Sequence, residues 1–319
     1  MKKIIRFSRA FLACAICSTL IILSGIFGLV FRGVNFGLEF KPGMIDVVSI
    51  QQAEGKTVSA DDVREALVSQ RNAEVKETGS ASAAQKTFQI RLGSENKAKD
   101  NGQTNAVLRD LYNSFGKNNV QEVSTDYIGS QFSTTLVKNT ILLVAATLVL
   151  IWLYAFIRFH WDYALGAIIA LIHDSLIMLT FVVWTRMEFT TTTIAAILTI
   201  IGYSINATVV ILDRVRENVR KYPDENDFVY LFDMSLSGTL SRSIITTVTT
   251  MFASIALYIF TTGSIKDFAL ALNVGLISGC YSSIYISSGF IVLMNKIKNH
   301  GQVDRKKKQN FSFETEVTQ

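Results

Sequence analysis

The sequence predicts a polytopic α-helical membrane protein of six transmembrane helices, with an exported α+β ferredoxin-like domain (βαββαβ) between helices 1 and 2. Three observations carry that expectation. Nearly half of the residues, 49%, are hydrophobic, and they gather in long blocks at 10–31, 135–157, 162–185, 190–212, 241–261 and 267–294, with only two prolines in 319 residues. About 20 apolar residues in a helix cross roughly 30 Å of hydrocarbon, so each block is one span. Lys and Arg crowd alternate block ends, and residues 47–130 alternate strand-like with helix-like runs.

The first helix follows a short cytoplasmic N-terminus, 1–9, carrying Lys2, Lys3, Arg6 and Arg9. Its apolar run exceeds the roughly 7–15 residues of a signal-peptide core, so an uncleaved helix over 10–31 is expected. Positive charge is retained in the cytoplasm. Arg214, Arg216, Arg220 and Lys221 follow the fourth block, and Lys296, Lys298 and Arg305 to Lys308 follow the sixth, whereas the short opposite connections carry only Arg186 and Lys266. Both termini are thus expected in the cytoplasm and 32–134 outside. The net charge of +5 reads as this topogenic bias and not as nucleic-acid binding. Cys14, Cys17 and Cys280 lie in apolar blocks, where Cys is a small packing residue.

In the exported segment, Val47 to Ile50 reads as a strand. Ser59, followed by Asp61 and Asp62, opens a helix as N-cap with acids in the first turn. Glu74 to Glu77 and Thr87 to Leu92 give two strands. Ala106, Leu108, Leu111, Tyr112 and Phe115 place a second helix over 105–115, and Val120 to Val123 is the last strand. The order is that of a ferredoxin-like domain. No catalytic constellation and no metal-ligand set is visible in it.

Helices 2–6 occupy 135–294, interrupted by an amphipathic cytoplasmic connection at 213–240. There Phe228, Leu231, Phe232, Leu236 and Leu240 fall on one face after Pro223, Asp224, Glu225 and Asp227, which predicts a separate helix resting on the cytoplasmic leaflet. Residues 295–319 read as a cytoplasmic tail, disordered from residue 301.

Ionisable groups at membrane depth are functional candidates. Asp174 lies 13 positions beyond Trp161, roughly 20 Å into the bilayer at ~1.5 Å per residue, too deep to reach water. A partner must come from another helix, a partner subunit or water, because Ala170, Leu171, Ile177 and Met178 offer none and His173 points about 100° away around the helix. Asp174 is either a proton-titrating carboxylate or a neutral acid hydrogen-bonded between helices, and His173 reads as a neutral imidazole hydrogen-bonded across helices. Asn206 and Arg242 sit at similar depth, so Arg242 is expected near the Asn206–Ala207 stretch. Asp213, Arg214, Arg216, Glu217 and Asn218 form a charged cytoplasmic exit, with Asp213 and Arg214 capping and anchoring. Gly275, Gly279, Ser283 and Ser287, at spacing four, make a stripe of small residues for close helix packing. An intramembrane enzyme has no support beyond the presence of His173 and Asp174, since no His-Glu-x-x-His, Gly-x-Gly-Asp or Gly-x-Ser motif with a partnering His occurs.

Several stretches together resemble one family. They are Arg158-Phe159-x-Trp161, Ala164 through Asp174, Ile201 through Asn218, Thr239-Leu240-Ser241-Arg242-x-Ile244-Ile245-Thr246-Thr247, Phe268 through Leu272 with Gly275, and Gly279-x-Tyr281-Ser282-Ser283-Ile284-Tyr285. With one helix, an exported domain and then five helices, they resemble the SecF side of the SecD/SecF family, within the resistance-nodulation-division superfamily. Asn35 to Gly43 is similar to part of that family's Gly-Ile-Asp-Phe-Thr-Gly-Gly stretch. The resemblance implies a bacterial inner-membrane subunit that pairs with SecD, associates with the SecYEG channel, works beside YajC and the SecA ATPase, and uses the proton- or sodium-motive force to promote preprotein translocation. It implies no cofactor, and exported domains that move. It also implies that the residue after Asn206 is an Asp acting with the Arg matching Arg242, whereas Ala207 stands here and has no proton to exchange. Asp174, Arg242, Asn206 and His173 are the coupling candidates in this chain. The other reading of the architecture is half of a resistance-nodulation-division exporter of small molecules or lipids.

Overall fold

A computed structural model describes residues 4–37, 40, 43–51, 58–70, 73–82, 85–93, 100–128, 130–159, 161–261 and 263–303. The expected tail beyond Val303 and part of the Asn35–Gly43 stretch lie outside the described residues. After a 3-10 turn at Phe7–Arg9 the elements are α1 Phe11–Arg32, β1 Gly43–Gln51, α2 Ala60–Ala66, β2 Glu74–Ser82, β3 Gln85–Gly93, α3 Asp100–Phe115, β4 Val120–Ile128, α4 Ser130–Arg158, α5 Trp161–Thr185, α6 Thr191–Lys221, α7 Phe228–Phe260, α8 Gly263–Tyr281, a π-helical turn Ser282–Ser287, and α9 Ser288–Asn299. Six spans are long and apolar enough to cross a membrane, the last running continuously from Gly263 to Asn299.

The α+β domain has the expected order. Its sheet runs β2-β3-β1-β4 with every neighbouring pair antiparallel. Alternation sends Met44, Val48, Ile50, Phe88, Ile90 and Leu92 to one face, where Val63 and Leu67 at α2 and Val107 and Leu111 of α3 complete the core. Ser59 caps α2 reciprocally with Asp62, which satisfies two orphan N–H groups. Residues of opposite parity, among them Lys76 and Arg91, face the helix bundle. Arg91 lies 2.8 Å from Glu188 in the α5–α6 connection, and Lys76 lies 2.9 Å from Asp267 of α8 and 3.8 Å from Glu188. The domain therefore rests on one end of the bundle through ion pairs.

In the bundle α5 is the central helix, with more than half of its apolar stretch buried, whereas α4 is almost wholly exposed. Glycines set the closest crossings: a Cβ at Gly25 of α1 would overlap Thr180 of α5, and one at Gly275 of α8 would overlap Ile200 of α6. At the bundle end away from the sheet, Ser8 donates through its N–H and Oγ to Asp233 of α7, at 3.0 and 2.7 Å.

Two boundaries differ from the expectation. The fourth span does not give way to the connection at 213, since α6 stays helical to Lys221, and only 222–227 connect it to α7. The separate interfacial helix expected at 213–240 is in fact the first turns of the 33-residue α7, started by Asp227, whose Oδ1 accepts from the N–H of Val229 and Tyr230. Phe228, Phe232 and Leu236 are buried against Ile211, Leu212 and Val215 of α6, so the apolar face meets protein and not the leaflet. Amphipathic period alone does not say which apolar phase covers the face.

Candidate functional site

Asp174 is fully buried in α5, and its carboxylate collects four donors. Ser204 of α6 donates to Oδ2 at 2.6 Å, Ser282 of the π turn to Oδ2 at 2.7 Å, and Ser278 of α8 to Oδ1 at 2.8 Å. His173 Nδ1 lies 3.1 Å from Oδ1. A carboxylate without its own proton only accepts, so the network places the imidazole proton on Nδ1, and Nε2 is buried without a hydrogen bond among the described residues. The site ties three helices and the π turn together at one atom pair.

The partners arrive from helices to which the sequence points only in general terms. Ser278 and Ser282 are spaced four apart, one face over from the glycine stripe, and that spacing is the available signal; Ser204 has none beyond its place in the resembling segment. The expectation that His173 points away is corrected. Successive Cα positions do diverge by about 100°, but the long ring bends back along α5, and its other face stands over Tyr281, 6.1 Å between centroids. Tyr281 in turn donates to the Cys14 carbonyl at 2.8 Å and accepts from Ser18 Oγ at 3.0 Å, which fastens α1 to the same level.

The stripe of small residues faces α6 over most of its length. Gly275 meets Ile200, a Cβ at Gly279 would stand 3.2 Å from Ser204 Cβ, and Ser283 accepts from Thr208 at 2.9 Å. Ser287 leaves the stripe. The π turn adds a residue to the winding, and the Ser287 carbonyl lies against Gly166 of α5, 3.2 Å from where a Cβ would be.

Asn206 and Arg242 are not brought into this cluster. Both are exposed, and neither side chain has a hydrogen bond or ion pair among the described residues. Two contacts fix how α6 and α7 cross: Tyr203 with Thr250, and Gly238 with Arg214. Between these antiparallel anchors Arg242 falls about one helical turn from Asn206, toward the end away from the sheet. Along α6, Ala195, Thr199, Gly202 and Asn206 form an open stripe, and nothing lies within 4 Å of a Cβ at Gly202. Ala207 is half-buried beside it.

In the exit motif Asp213 accepts from Arg158 Nη2 at 2.7 Å, Arg214 donates to Glu217 at 2.6 Å, and Asn218, buried, donates to Ser235 of α7 at 2.8 Å. Asp213 and Arg214 thus anchor, but neither caps a helix end.

Comparison with known proteins places these features. Residues 107–297 match the family described as "Protein export membrane protein SecD/SecF, C-terminal". The protein translocase subunit SecF of Treponema pallidum is 32% identical, with 95% of this chain and 99% of the relative covered. That of Borreliella burgdorferi is 35% identical, with 93% and 100% covered. Among solved structures, SecDF of Thermus thermophilus, a translocon-associated membrane protein, superposes with a TM-score of 0.78 at 27% identity over 92% of this chain. A super-membrane-facing form of SecDF gives 0.67 over 94%. This chain spans about two fifths of those solved chains, 39% and 40%.

Proposed function

The chain belongs to the SecD/SecF family of protein-export membrane proteins, and on that premise we propose that it joins a SecD-type six-helix half through its open α6–α7 face and promotes preprotein translocation with the proton- or sodium-motive force. As a SecF-type translocase subunit it is a multi-pass membrane protein. Its basic bundle end is assigned to the cytoplasm and its α+β domain to the outer side, with the SecYEG channel, YajC and the SecA ATPase as further partners.

One observation carries the reading. Asn206 and Arg242, polar and cationic at membrane depth, are both exposed and have no partner among the described residues of their own chain, an arrangement that lipid would penalise by a few kcal/mol and a second polar subunit would relieve. Ala207 cannot exchange a proton, so the titrating group opposite Arg242 is supplied by the partner. Asp174 is the second ion-responsive group. Taking up a proton turns one carboxylate oxygen from acceptor into donor, and the site can answer by rotation of a serine hydroxyl or by a change of His173 tautomer that leaves Nδ1 to accept. The hydrogen-bond pattern holding α5, α6 and α8 then has two settings, one for each protonation state.

Reconstitution with a SecD-type partner tests this. Asp174→Asn is expected to reduce ion-motive-force-stimulated translocation about tenfold while co-purification with the partner is retained. Unchanged stimulation would leave Asp174 a packing group only. Failure of the unsubstituted chain to recover a SecD-type partner, or its recovery as a homotrimer with an outer-membrane channel, would overturn the subunit reading.

A further inference from the structure

A cleft of about 480 Å³ opens at the basic end of the bundle, lined by Arg158 at the end of α4 and by Asp213, Arg216, Glu217, Arg220 and Lys221 on the last turns of α6. We propose that it binds the phosphate of an anionic phospholipid headgroup.

The charges in the cleft are unequally matched. Asp213 is held by Arg158, and Glu217 is drawn to Arg214, which lies outside the lining. Among the described residues no carboxylate comes within ion-pair distance of Arg216, Arg220 or Lys221. The lining thus sets four cations, Arg158, Arg216, Arg220 and Lys221, against the two carboxylates of Asp213 and Glu217, an excess of positive charge, and guanidinium forks match phosphate oxygens in pairs.

Depth decides between a lipid and a soluble anion. Beside Arg158, Trp152, Phe156 and Trp161 form one ring cluster, with Trp161 centroids 5.3 Å from Phe156 and 6.5 Å from Trp152. Exposed Trp marks the headgroup level of a bilayer. Immediately along α4 from the cluster, Val149, Leu150, Leu153 and Ile157 present an exposed apolar face, which is where acyl chains lie when the phosphate sits among the cations. Basic pockets between membrane helices on the cytoplasmic side recognise headgroups by this combination. The assignment to the cytoplasmic leaflet rests on the proposed orientation, but the site itself does not, because a nanodisc offers both leaflets.

The test uses the full chain in phosphatidylcholine nanodiscs containing a minor fraction of phosphatidylglycerol, with retained lipid counted by native mass spectrometry. The unsubstituted chain is expected to retain phosphatidylglycerol over phosphatidylcholine by about tenfold or more. Replacing Arg216, Arg220 and Lys221 together by Gln is expected to abolish that preference, bringing retention of the two lipids to within about twofold of each other, since each surface cation contributes on the order of a factor of five. Replacing Arg6, Arg9 and Lys296 by Gln removes equal charge elsewhere on the same end and is expected to leave retention within about threefold. Equal losses in the two triple variants would reduce the effect to general surface charge and overturn the proposal. Equal retention of the two lipids by the unsubstituted chain would overturn it even if a variant failed to fold. Displacement of the lipid by micromolar inorganic phosphate or by an acidic peptide would reassign the cleft to a soluble anion and also overturn it.

Discussion

Ser282 Oγ donates to Asp174 Oδ2 across 2.7 Å from the first residue of the π-helical turn, so the break in the last span's winding begins at the contact that holds the buried carboxylate. Regular winding presents Gly275, Gly279 and Ser283 to α6 while Ser278 and Ser282 reach α5, and the extra residue of the turn changes the phase only beyond them. Ser282→Ala removes one hydrogen-bond donor from a buried carboxyl group and is expected to lower the stability of the purified chain by about 1–3 kcal/mol in thermal or denaturant unfolding. If Ser282 acts through Asp174, the same substitution in an Asp174→Asn background costs clearly less, with a coupling of about 1 kcal/mol or more. Additive losses would show that Ser282 stabilises the π turn independently.

The sheet domain and the bundle meet at Glu188, which lies between Arg91 and Lys76, and Arg91 is only 8% exposed. Breaking one partner of a half-buried ion network leaves an uncompensated charge. Glu188→Gln is expected to weaken docking by on the order of 2 kcal/mol, about 30-fold in the undocked population. Spin-label distances between the domain and α8 are expected to broaden. Arg91→Glu should broaden them as well, and Arg91→Glu with Glu188→Arg should restore the narrow distribution. A distribution unmoved by Glu188→Gln would mean that apolar contacts hold the domain.

Gly275 is a steric requirement, since any Cβ there overlaps the Ile200 side chain. Gly275→Ala is expected to destabilise the chain by about 1–3 kcal/mol as an overpacked crossing. Ile200→Ala in the same chain makes room, so the double variant should recover part of the loss. Worse stability in the double variant would place the strain elsewhere.

What is legible in the chain follows from which signals have a period. Six spans and the βαββαβ order are readable because hydrophobic length and alternation are written in the sequence itself. Asp174 is conspicuous as an acid in an apolar block. Its donors are not, because a membrane serine can satisfy its hydroxyl on its own helix, as Ser175 does on the Leu171 carbonyl at 2.9 Å, so nothing in Ser204, Ser278 or Ser282 marks a cross-helix bond. The π turn is invisible to a 3.6-residue period, which is why spacing alone groups Ser287 with the stripe. His173 escapes a helical-wheel reading because backbone angle does not fix side-chain direction. The apolar face of 228–240 is recognisable, but its burial against protein is not, since Ile211, Leu212 and Val215 become its partners only once α6 extends past the membrane exit.

Asp46 in β1 gives the α+β domain a pH dependence. It is buried on the core face, Oδ1 accepts from Thr125 at 2.6 Å, and Oδ2 has no hydrogen bond among the described residues. Burial pushes its carboxyl above the usual range and Glu122 adds to that, although the Thr125 hydrogen bond opposes. A raised folded value means that the native domain binds more protons than the unfolded one, so Asp46 makes stability fall as pH rises from the ordinary carboxylate range through the raised value. Asp46→Asn keeps an acceptor for Thr125 and is expected to stabilise the domain at neutral pH and flatten that fall. Hydrogen exchange of the β1 and β4 amides between about pH 4 and 7 reads it, and a steeper fall in the variant would reverse the assignment.

Ala207 is half-buried beside exposed Asn206, and Arg242 lies about one turn away with no ion pair of its own among the described residues. A carboxylate introduced at this depth costs about 2.5–3.5 kcal/mol if unpaired, and the neighbouring guanidinium is close enough in level to offset much of that. Ala207→Asp is therefore expected to be tolerated, with expression and partner recovery within about twofold of the unsubstituted chain. In an Arg242→Gln background the introduced carboxylate has no cation to meet, and partner recovery should drop about tenfold or more. Equal recovery in both backgrounds would mean that the new carboxylate finds water or the partner subunit instead. Loss of recovery in Ala207→Asp alone would place Arg242 out of reach of position 207.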